Sequence, residues 1–514
     1  MKKIDKLILK NFKFFYGEEV LNFDNENILF YGENGSGKSS IYWALYTLLQ
    51  SSTKKTDEEK HRILKYFDKS DGDTLVNRYM EDSDTASISI TLNNGSEYIV
   101  SLDDTNTNLE DIVIYEAYTV SDFINYKLLA KNFDFKHSEN LDIFEFLEKN
   151  IFDDIFTEDK TTTFGKWWKK ISSVYTLKGQ ANKYNNTKEL EVDINLFFEA
   201  LKNYLSSITE DMNTILRDYF KLNINIKFEP ELDITLLNKY RRVFRLDGQE
   251  KQQTTYYAKF PWIYLHVEYD EYVHEENDKY INRPHTYLNE AKLSAIALSV
   301  RFAMLRKKAN TNDILKILVL DDLLVSLDMN NRSIVLNMLI NDEYLNDYQI
   351  IMLTHDKAFF EMAKQKFQQS SEHIWKYYEM YVDDSGEVEK PFIKKSKSYL
   401  DRAYEEFLNR NYDCSANLSR KACEGLLFKY LPSDKKFSLI CDKLQFNNLL
   451  QNARSQEQNT SNAELFNKLD TFRMSIFNPQ SHSDDTEVYR EELKDAINTV
   501  KTLKEFVEGA SNAT

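Results

Sequence analysis

Residues 32–39 read GENGSGKS and match the pattern G-x-x-x-x-G-K-[ST] throughout. Glycines in such a loop let successive backbone N–H groups approach an anion that side chains would otherwise block. Lys38 would place its charge on the β- and γ-phosphates of a nucleotide, and the Ser39 hydroxyl would ligate Mg²⁺. This segment, called the phosphate loop below, therefore predicts a site for ATP and Mg²⁺. Its predicted nucleotide-binding residues are Gly32, Asn34, Gly35, Gly37, Lys38, Ser39 and Ser40.

Two aspartates, Asp321 and Asp322, directly follow the apolar run ILVL, which predicts the carboxyl end of a buried strand. Asp321 would bind Mg²⁺ directly or through water, and Asp322 would polarise the attacking water as a general base. Paired aspartates at a strand end often only cap a helix. Here His355 ends the next apolar run, IIMLT, and this order favours catalysis. We therefore predict ATP hydrolysis by Lys38, Asp322 and His355.

The elements around these residues must bring distant parts of the chain together. Apolar residues 28–31 predict a strand leading into the phosphate loop, and residues 40–50 carry apolar side chains at helical spacing. A second strand–helix–strand pattern covers residues 314–354. The two parts predict one α/β nucleotide-binding sheet that is interrupted by residues 51–287.

The interrupting segment contains one long amphipathic pattern. Residues 188–220 carry an apolar side chain every three or four positions, which predicts a single helix of roughly 45 Å. This is too short for a long coiled-coil arm, so we expect a short helical insertion. Residues 223–228 and 263–269 read as strands.

From about residue 396 the pattern becomes amphipathic helix, which predicts an all-α C-terminal bundle of four or five helices. The predicted domain bounds are 1–120 with 281–390 for the nucleotide-binding part, 121–280 for a helical or mixed insertion, and 396–514 for the bundle.

Composition narrows the class of protein. Only 12 of the 514 residues are glycine, and three of them lie in the phosphate loop. The net charge of -17 gives no global positive field, so any contact with nucleic acid must be local. No stretch approaches 18 uninterrupted apolar residues and the three cysteines lack metal-site spacing, so we expect no membrane partner and a cytoplasmic protein with free thiols.

Four segments in order, GENGSGKSS, YLNEAKLSAIALSVRFA, ILVLDDLLVSLD and IMLTHD, resemble the head domain of ABC-type ATPases of the SMC, Rad50 and RecF kind. The resemblance covers about residues 1–50 and 281–365. It implies a P-loop ABC-ATPase head whose two protomers sandwich two ATP molecules, so a homodimer or a higher oligomer is expected.

The resemblance also assigns residues that act on the opposite protomer's nucleotide. Leu288–Lys292 (LNEAK) replaces the LSGGQ-like segment that caps the γ-phosphate, with Asn289, Glu290 and Lys292 as binding residues. The D-loop would be the segment ending at Asp328, which would also contact nucleotide, and His355 would be the switch histidine.

Three departures from the family pattern qualify this prediction. Asn289 stands where the family has serine and Glu290 where it has glycine, which predicts a weaker or regulated contact between protomers. Asp322 stands where glutamate is usual, so the base is one methylene shorter and turnover is expected to be slow and switch-like. Residues 121–133 fall where the Q-loop is expected, without a glutamine.

The C-terminal bundle carries a second set of candidate catalytic residues. Arg420 and Glu424 lie one helical turn apart, and His482 follows the proline that ends a later helix. Together they could cleave RNA without metal, with histidine moving the 2′-hydroxyl or leaving-group proton and arginine stabilising the phosphate. An ordinary surface ion pair and a turn-capping histidine explain the same residues equally well.

The bundle resembles HEPN-type domains, and its fusion to an ABC ATPase is similar to anticodon nucleases of the PrrC and RloC kind. This resemblance implies anti-phage defence with tRNA or other RNA as substrate. Arg473 is a second candidate arginine, although eight residues separate it from His482 where HEPN nucleases usually have four to six.

Two other functions remain open. The ATPase could license a separate nuclease or toxin partner through a docking bundle, or it could be a RecF-like DNA-repair ATPase, against which the negative charge argues. Basic and aromatic clusters such as GKWWKK at 165–170 could contact phosphates and stack bases, or form solvated faces.

Overall fold

The chain divides into two compact units, Met1–Lys394 and Lys395–Thr514. The computed structural model describes residues 1–54, 56–81, 85–107, 112–125, 144, 147–148, 152–158, 161–176, 188–231, 235–246, 249–259, 261–269, 280–281, 288–308, 314–322, 327, 329–369, 375–436, 444–477 and 489–511. Among these residues, no helix combines the length and the apolar character needed to cross a membrane.

The strands all belong to the first unit. They are β1 (Ile4–Lys10), β2 (Glu18–Asn22), β3 (Asn27–Gly32), β4 (Ser87–Leu92), β5 (Glu97–Ser101), β6 (Asp122–Asn125), β7 (Ile224–Glu231), β8 (Thr235–Leu246), β9 (Gln249–Lys259), β10 (Trp262–Tyr269), β11 (Tyr280–Ile281), β12 (Ile317–Asp321), β13 (Gln349–Thr354), β14 (Trp375–Asp383) and β15 (Lys390–Lys395), the last ending at the unit boundary.

The α-helices of the first unit are α1 (Lys38–Ser51), α2 (Asp57–Leu64), α3 (Val113–Val120), α4 (Phe164–Thr176), α5 (Lys188–Asp218), α6 (Glu290–Lys308), α7 (Met329–Asn341) and α8 (Lys357–Gln369). Short 3₁₀ turns lie at Lys65–Phe67 and Phe152–Asp154.

The central sheet has the strand order β15-β14-β3-β13-β12-β6. Strands β14, β3, β13, β12 and β6 pair in parallel. The apolar runs of β3, β12 and β13 are buried along almost their whole length, as expected for a sheet covered on both faces. Because parallel strands end at one edge, the phosphate loop after β3 and the residues ending β12 and β13 meet there.

The other sheets of the first unit are antiparallel. Strands β2-β1-β4-β5 form a four-stranded sheet, and its core includes the buried face of α1, with Ile41, Leu45 and Leu48. Strands β11-β10-β7 form a three-stranded sheet, and β8 pairs with β9.

Residues 121–280 include both helices and strands among their described residues. The long helix is present as α5, and its apolar stripe, including Phe197, Leu201 and Ile208, is buried. Strands β7 to β11 follow it, because alternating runs such as INIKF and IYLHV pair with each other. Strand β6, which directly follows the predicted boundary at residue 120, joins the central sheet beside β12.

The second unit consists of helices among its described residues. They are α9 (Tyr399–Leu408), α10 (Tyr412–Tyr430), α11 (Phe446–Glu457), α12 (Ala463–Phe472) and α13 (Arg490–Ser511), with a 3₁₀ turn at Ser433–Lys435 and a π-helical turn at Arg473–Phe477. Ser398 and Asp401 form a capping box at the start of α9. Cys423 is fully buried in the core of this unit.

Candidate active site

The phosphate loop folds back on itself and leads directly into α1. Gly35 and Gly37 have φ of 87° and 100°, a left-handed backbone that favours glycine. At Gly32 a Cβ would lie 2.5 Å from the Ser36 Oγ, so no side chain fits there. The ring of Phe14 lies 3.0 Å from the Cβ position of Gly37 and supports the loop from outside. The loop therefore directs the N-terminus of α1 at an anion.

Lys38 is buried, and its charge is held at the bend of the loop. Its Nζ donates to the carbonyl oxygens of Gly32 at 2.6 Å and Glu33 at 3.0 Å. Burial lowers the pKa of Lys38, while the nearby carboxylates Asp322 and Asp321 raise it. The ammonium group thus lies beside the anion-binding backbone, as the sequence predicts.

Ser39 and Asp321 meet across the sheet edge. The Ser39 hydroxyl donates to Asp321 Oδ2 at 3.1 Å, while Asp321 Oδ1 is buried and has no hydrogen-bond partner in the part of the chain that the structure describes. Burial raises the pKa of Asp321 to about 6, and the neighbouring Asp322 adds to this shift. A buried carboxylate oxygen without a partner, next to a hydroxyl oxygen, is a donor set that suits Mg²⁺.

No group of three or more metal-ligating His, Cys, Asp or Glu side chains occurs in the described part of the chain. A Mg²⁺ ion held by Ser39 and Asp321 would therefore complete its shell with phosphate oxygens and water, the usual arrangement for this ion at nucleotide sites. The side chains of Ser39 and Asp321 therefore fit a Mg²⁺ ion that is bound together with ATP.

Asp322 is held in a left-handed backbone conformation, with φ of 50°. Its Oδ1 accepts from the backbone N–H of His355 at 2.9 Å and lies 2.8 Å from the His355 Nδ1. The structure thus brings the predicted base and the predicted switch histidine into contact. A non-glycine residue in this region of φ and ψ costs about 1 kcal/mol or more, which the two contacts offset.

The strand beside Asp321 ends in Asn125. Strands β6 and β12 pair in register, with Asn125 opposite Asp321, and the Asn125 amide donates to the Tyr42 hydroxyl at 3.3 Å. Within the segment suggested for the Q-loop, Asn125 therefore lies beside Asp321 and carries an amide one methylene shorter than that of glutamine. Residues 126–133 of that segment lie outside the described part of the chain.

The LNEAK segment forms the start of α6. Asn289 accepts from the backbone N–H of Lys292 at 3.0 Å and so caps the helix, while the Asn331 amide donates to the Ala291 carbonyl at 3.0 Å. Helix α6 begins at Glu290. The side chain of Glu290 and the whole of Asp328 lie outside the described residues.

Sequence reasoning missed the role of Arg332. Its Nε donates to the Leu327 carbonyl at 2.9 Å, and its guanidinium pairs with Asp356 at 2.7 Å. Arg332 therefore joins the residue before Asp328 to the residue after His355. The only signal was its position in MNNR, shortly after the paired aspartates, and this does not reveal its partner.

Comparison with protein families matches residues 3–374 to the RecF/RecN/SMC N terminal domain. The chain belongs to this family. The first unit therefore contains an SMC/RecF-type ABC ATPase head. Comparison with curated proteins gives no match.

The chain is also similar to several solved structures. An Smc head bound to the C-winged helix domain of ScpA shares 13% identity over 76% of this chain and 98% of that chain, with a TM-score of 0.38. An Smc head with an extended coiled coil, bound to the C-terminal domain of ScpA from Pyrococcus furiosus, shares 14% over 80% and 100%, with a TM-score of 0.39. The recombination mediator RecF with ATP shares 14% over 77% and 98%, with a TM-score of 0.38.

Beyond the SMC/RecF-type head, the second unit holds the other candidate residues. Arg420 and Glu424 lie on consecutive turns of α10, and Arg420 Nη1 donates to the Phe477 carbonyl at 3.4 Å. Arg473 instead pairs with Asp470 at 2.8 Å. His482 lies outside the described residues.

Proposed function

We propose that this chain binds ATP with Mg²⁺ and hydrolyses it in its SMC/RecF-type head. The observation that carries this proposal is the hydrogen bond between Ser39 and Asp321, whose second carboxylate oxygen is buried and has no hydrogen-bond partner among the described residues. These oxygens would hold Mg²⁺, which supplies charge neutralisation for the β- and γ-phosphates. The phosphate-loop N–H groups and the N-terminus of α1 would bind the same phosphates.

Asp322 would act as the general base. Its carboxylate faces the edge where the γ-phosphate would lie, and from there it would accept a proton from the attacking water. His355 is a positioning residue, because its backbone and ring nitrogens hold the carboxylate at 2.9 and 2.8 Å. Lys38 would stabilise charge that develops on the transferred phosphoryl group.

The site requires a second copy of the chain to close it. The N-terminus of α6, capped by Asn289, would contact the γ-phosphate bound by the opposite protomer, together with Glu290, Lys292 and Asp328. The shorter Asp322 base and the glycine-free LNEAK segment support slow, switch-like turnover in which ATP holds the dimer closed.

For the second unit we propose metal-independent RNA cleavage by Arg420, Glu424 and His482, as the resemblance to HEPN nucleases in anti-phage defence suggests. The support comes from Arg420, which contacts the carbonyl of Phe477, five residues before His482. This contact favours Arg420 over Arg473 as the catalytic arginine. ATP-driven opening or closing of the heads would control the effector.

A specific observation also favours docking of a separate effector. Large apolar side chains of the second unit are exposed at Tyr404 (51%), Leu408 (62%) and Tyr489 (70%). A bundle that only licenses a partner protein would use such side chains for contact. RNA cleavage by the purified chain distinguishes the two proposals.

The substitution Asp322→Asn tests the ATPase proposal, with Asp384→Asn in an exposed turn as the matched control. Without its base, the variant should hydrolyse ATP at least about a hundredfold more slowly while still binding it. It should also accumulate as an ATP-dependent dimer in light scattering. Hydrolysis above about a tenth of the wild-type rate would exclude Asp322 as the base. A variant that stays monomeric with bound ATP would exclude the shared site.

A further inference from the structure

A second cavity, of about 1180 Å³, opens in the first unit away from the phosphate loop. It lies between the end of α3, the residues before and within α4, the middle of α5 and the last turn of α6. Its polar lining is led by four lysines, and its apolar lining includes Phe156 and Trp167. The lysines are Lys166, Lys170, Lys307 and Lys308.

This cavity lies at the opposite edge of the central sheet from the nucleotide site. Val120 lines it, and Ser121 next to it accepts the backbone N–H of Ile317 at 3.0 Å, at the amino ends of β6 and β12. The phosphate loop, Asp321 and His355 lie at the carboxyl ends of the parallel strands. The cavity is therefore a separate site.

The charges around this cavity are unevenly balanced. Among the described residues, neither Lys166 nor Lys307 forms an ion pair, and Lys308 donates to the Ser121 carbonyl at 3.3 Å rather than to an acid. Lys170 pairs with Asp193 at 2.8 Å. Glu158 is the other acidic residue of the lining. A chain with a net charge of -17 thus has a local excess of positive charge here.

Trp167 offers a fixed aromatic surface in this basic cavity. Its indole N–H donates to Asp193 Oδ1 at 2.9 Å, and its ring packs edge-on against Phe197, with centroids 5.4 Å apart. The same aspartate is therefore occupied by both Trp167 and Lys170, which reduces its repulsion of an anion.

The helical period of α4 sorts the GKWWKK cluster into two faces. Lys166, Trp167 and Lys170 line the cavity. Trp168 is 1% exposed in the core, and Lys169 pairs with Asp153 at 2.7 Å. The cluster is thus neither wholly solvated nor wholly a binding surface, and its cavity side combines cations with a stacking ring.

We propose that this cavity binds a nucleotide ligand, with a base stacked on Trp167 and phosphates on Lys166, Lys307 and Lys308. Aromatic stacking with lysine–phosphate contacts is the usual chemistry of single-stranded nucleic-acid and nucleotide sites. Ligand pockets of roughly 300–1,000 Å³ take drug-sized molecules, so this volume suits about one to three nucleotides. A free nucleotide and the end of a single strand share this chemistry.

The test measures binding of two fluorescent probes to the full chain by anisotropy: a labelled trithymidylate without a terminal triphosphate, and labelled ADP. The ADP measurements use the Lys38→Ala background, in which ADP binding at the phosphate loop is weakened, and binding at the cavity is taken as the part that the cavity variants change. Two variants are compared: the double substitution Lys166→Ala with Lys307→Ala, and the single substitution Trp167→Ala. The matched control is Lys169→Ala, on the same helix and turned away from the cavity.

The lysine pair should weaken binding by at least about tenfold, because two charge-assisted contacts to phosphate are lost. Two lost phosphate contacts should also lower the slope of log Kd against log salt by about 1.4 for a single strand. Trp167→Ala should weaken binding about tenfold through lost stacking, with Trp167→Phe retaining most of it. ATP turnover without probe should match wild type in each variant made in the wild-type background.

Tighter binding of trithymidylate than of ADP would identify a strand end as the ligand, and the reverse order a free nucleotide. The proposal is overturned if neither probe binds, or if Lys169→Ala weakens binding as much as the lysine pair does. Because turnover at the phosphate loop is measured separately, this outcome is distinct from failure of the proposed ATPase.

Discussion

The nucleotide site of the first unit and the Arg420–Glu424 pair of the second unit are built from different kinds of contact. Ser39 and Asp321, which share a hydrogen bond, lie 282 positions apart in the sequence. Arg420 and Glu424 are neighbours on one helix, a spacing that any helix surface produces. Convergence of polar residues that lie far apart in the sequence is therefore much stronger evidence for chemistry than an i,i+4 pair.

The two regions also differ in how their polar groups are satisfied. In the head, Asp321 has a buried carboxylate oxygen to which none of the described residues donates a hydrogen bond. In the second unit, Asp470 accepts from Arg454 at 2.9 Å and from Arg473 at 2.8 Å, and Glu457 accepts from Thr460 at 2.6 Å. These hydrogen-bonded networks stabilise the bundle.

The largest expected effect is that of Lys38→Ala. Removing a buried ammonium that neutralises phosphate charge should reduce ATP turnover to below about 1% of wild type and weaken ATP binding at least about tenfold. Turnover assays and titration with a fluorescent ATP analogue measure both effects. Lys6→Ala, on the exposed face of β1, is the control and should behave as wild type. Wild-type ATP turnover by Lys38→Ala would contradict the proposal that the head hydrolyses ATP at the phosphate loop.

Arg420→Ala and Arg473→Ala sharpen the comparison in the second unit. Arg420→Ala and His482→Ala should lose at least about a hundredfold in RNA cleavage, read as 2′,3′-cyclic phosphate ends on tRNA. Arg473→Ala should keep cleavage and only lower the thermal midpoint, since its guanidinium pairs with Asp470. If Arg473→Ala lost RNA cleavage and Arg420→Ala kept it, Arg473 rather than Arg420 would be the catalytic arginine. A chain that cleaves no RNA with any nucleotide would support docking of a separate effector.

A smaller effect concerns Asp321 and pH. Its pKa of about 6 is raised in the folded state, so the nucleotide-free protein binds more protons than the unfolded chain between about pH 4 and 6. Stability should therefore fall as pH rises through this window and become constant above it. Asp321→Asn should remove this part of the pH dependence, as measured by chemical denaturation.

Binding of Mg²⁺ with ATP requires the charged carboxylate, so it should release about half a proton at pH 6. Calorimetry in buffers of different ionisation enthalpy measures this release. Proton uptake, or equal release by Asp321→Asn, would contradict the metal role of this residue.

The smallest effect is that of Asn289→Ala, which removes the helix cap and should lower the unfolding midpoint by an amount equivalent to about 1 kcal/mol. Asn289→Ser restores a cap of similar strength and places the family residue at this position. It should recover the midpoint and strengthen the ATP-dependent dimer. Recovery of neither property would show that Asn289 has another role.

Three strands of the central sheet, β3, β12 and β13, were predictable because they are apolar runs that end in motifs. Strands β3, β12 and β13 and helix α5 lie where their sequence patterns predict them. The strands that follow α5 were predicted only in part. Their pairing depends on partners far along the chain, and no local pattern encodes it.

The nucleotide site was predictable from GENGSGKS and ILVLDD, since each motif carries its own chemistry. The contacts of Arg332 and the placement of Asn125 opposite Asp321 were not, because they depend on strand register and on loops that meet only in the folded chain. GKWWKK was ambiguous for a similar reason. The packing of α4 against a neighbouring helix decides which side chains of GKWWKK face solvent.

Helix α6 has one further consequence for the head. Its first turn carries Asn289 and Lys292, and its last turn carries Lys307 and Lys308 at the lysine-lined cavity. At 1.5 Å per residue it spans about 28 Å, so a rigid tilt of about 10° around its centre would displace each end by about 2.5 Å. A ligand that draws Lys307 and Lys308 toward the cavity would therefore move the other end of the helix, at Asn289 and Lys292, in the opposite direction.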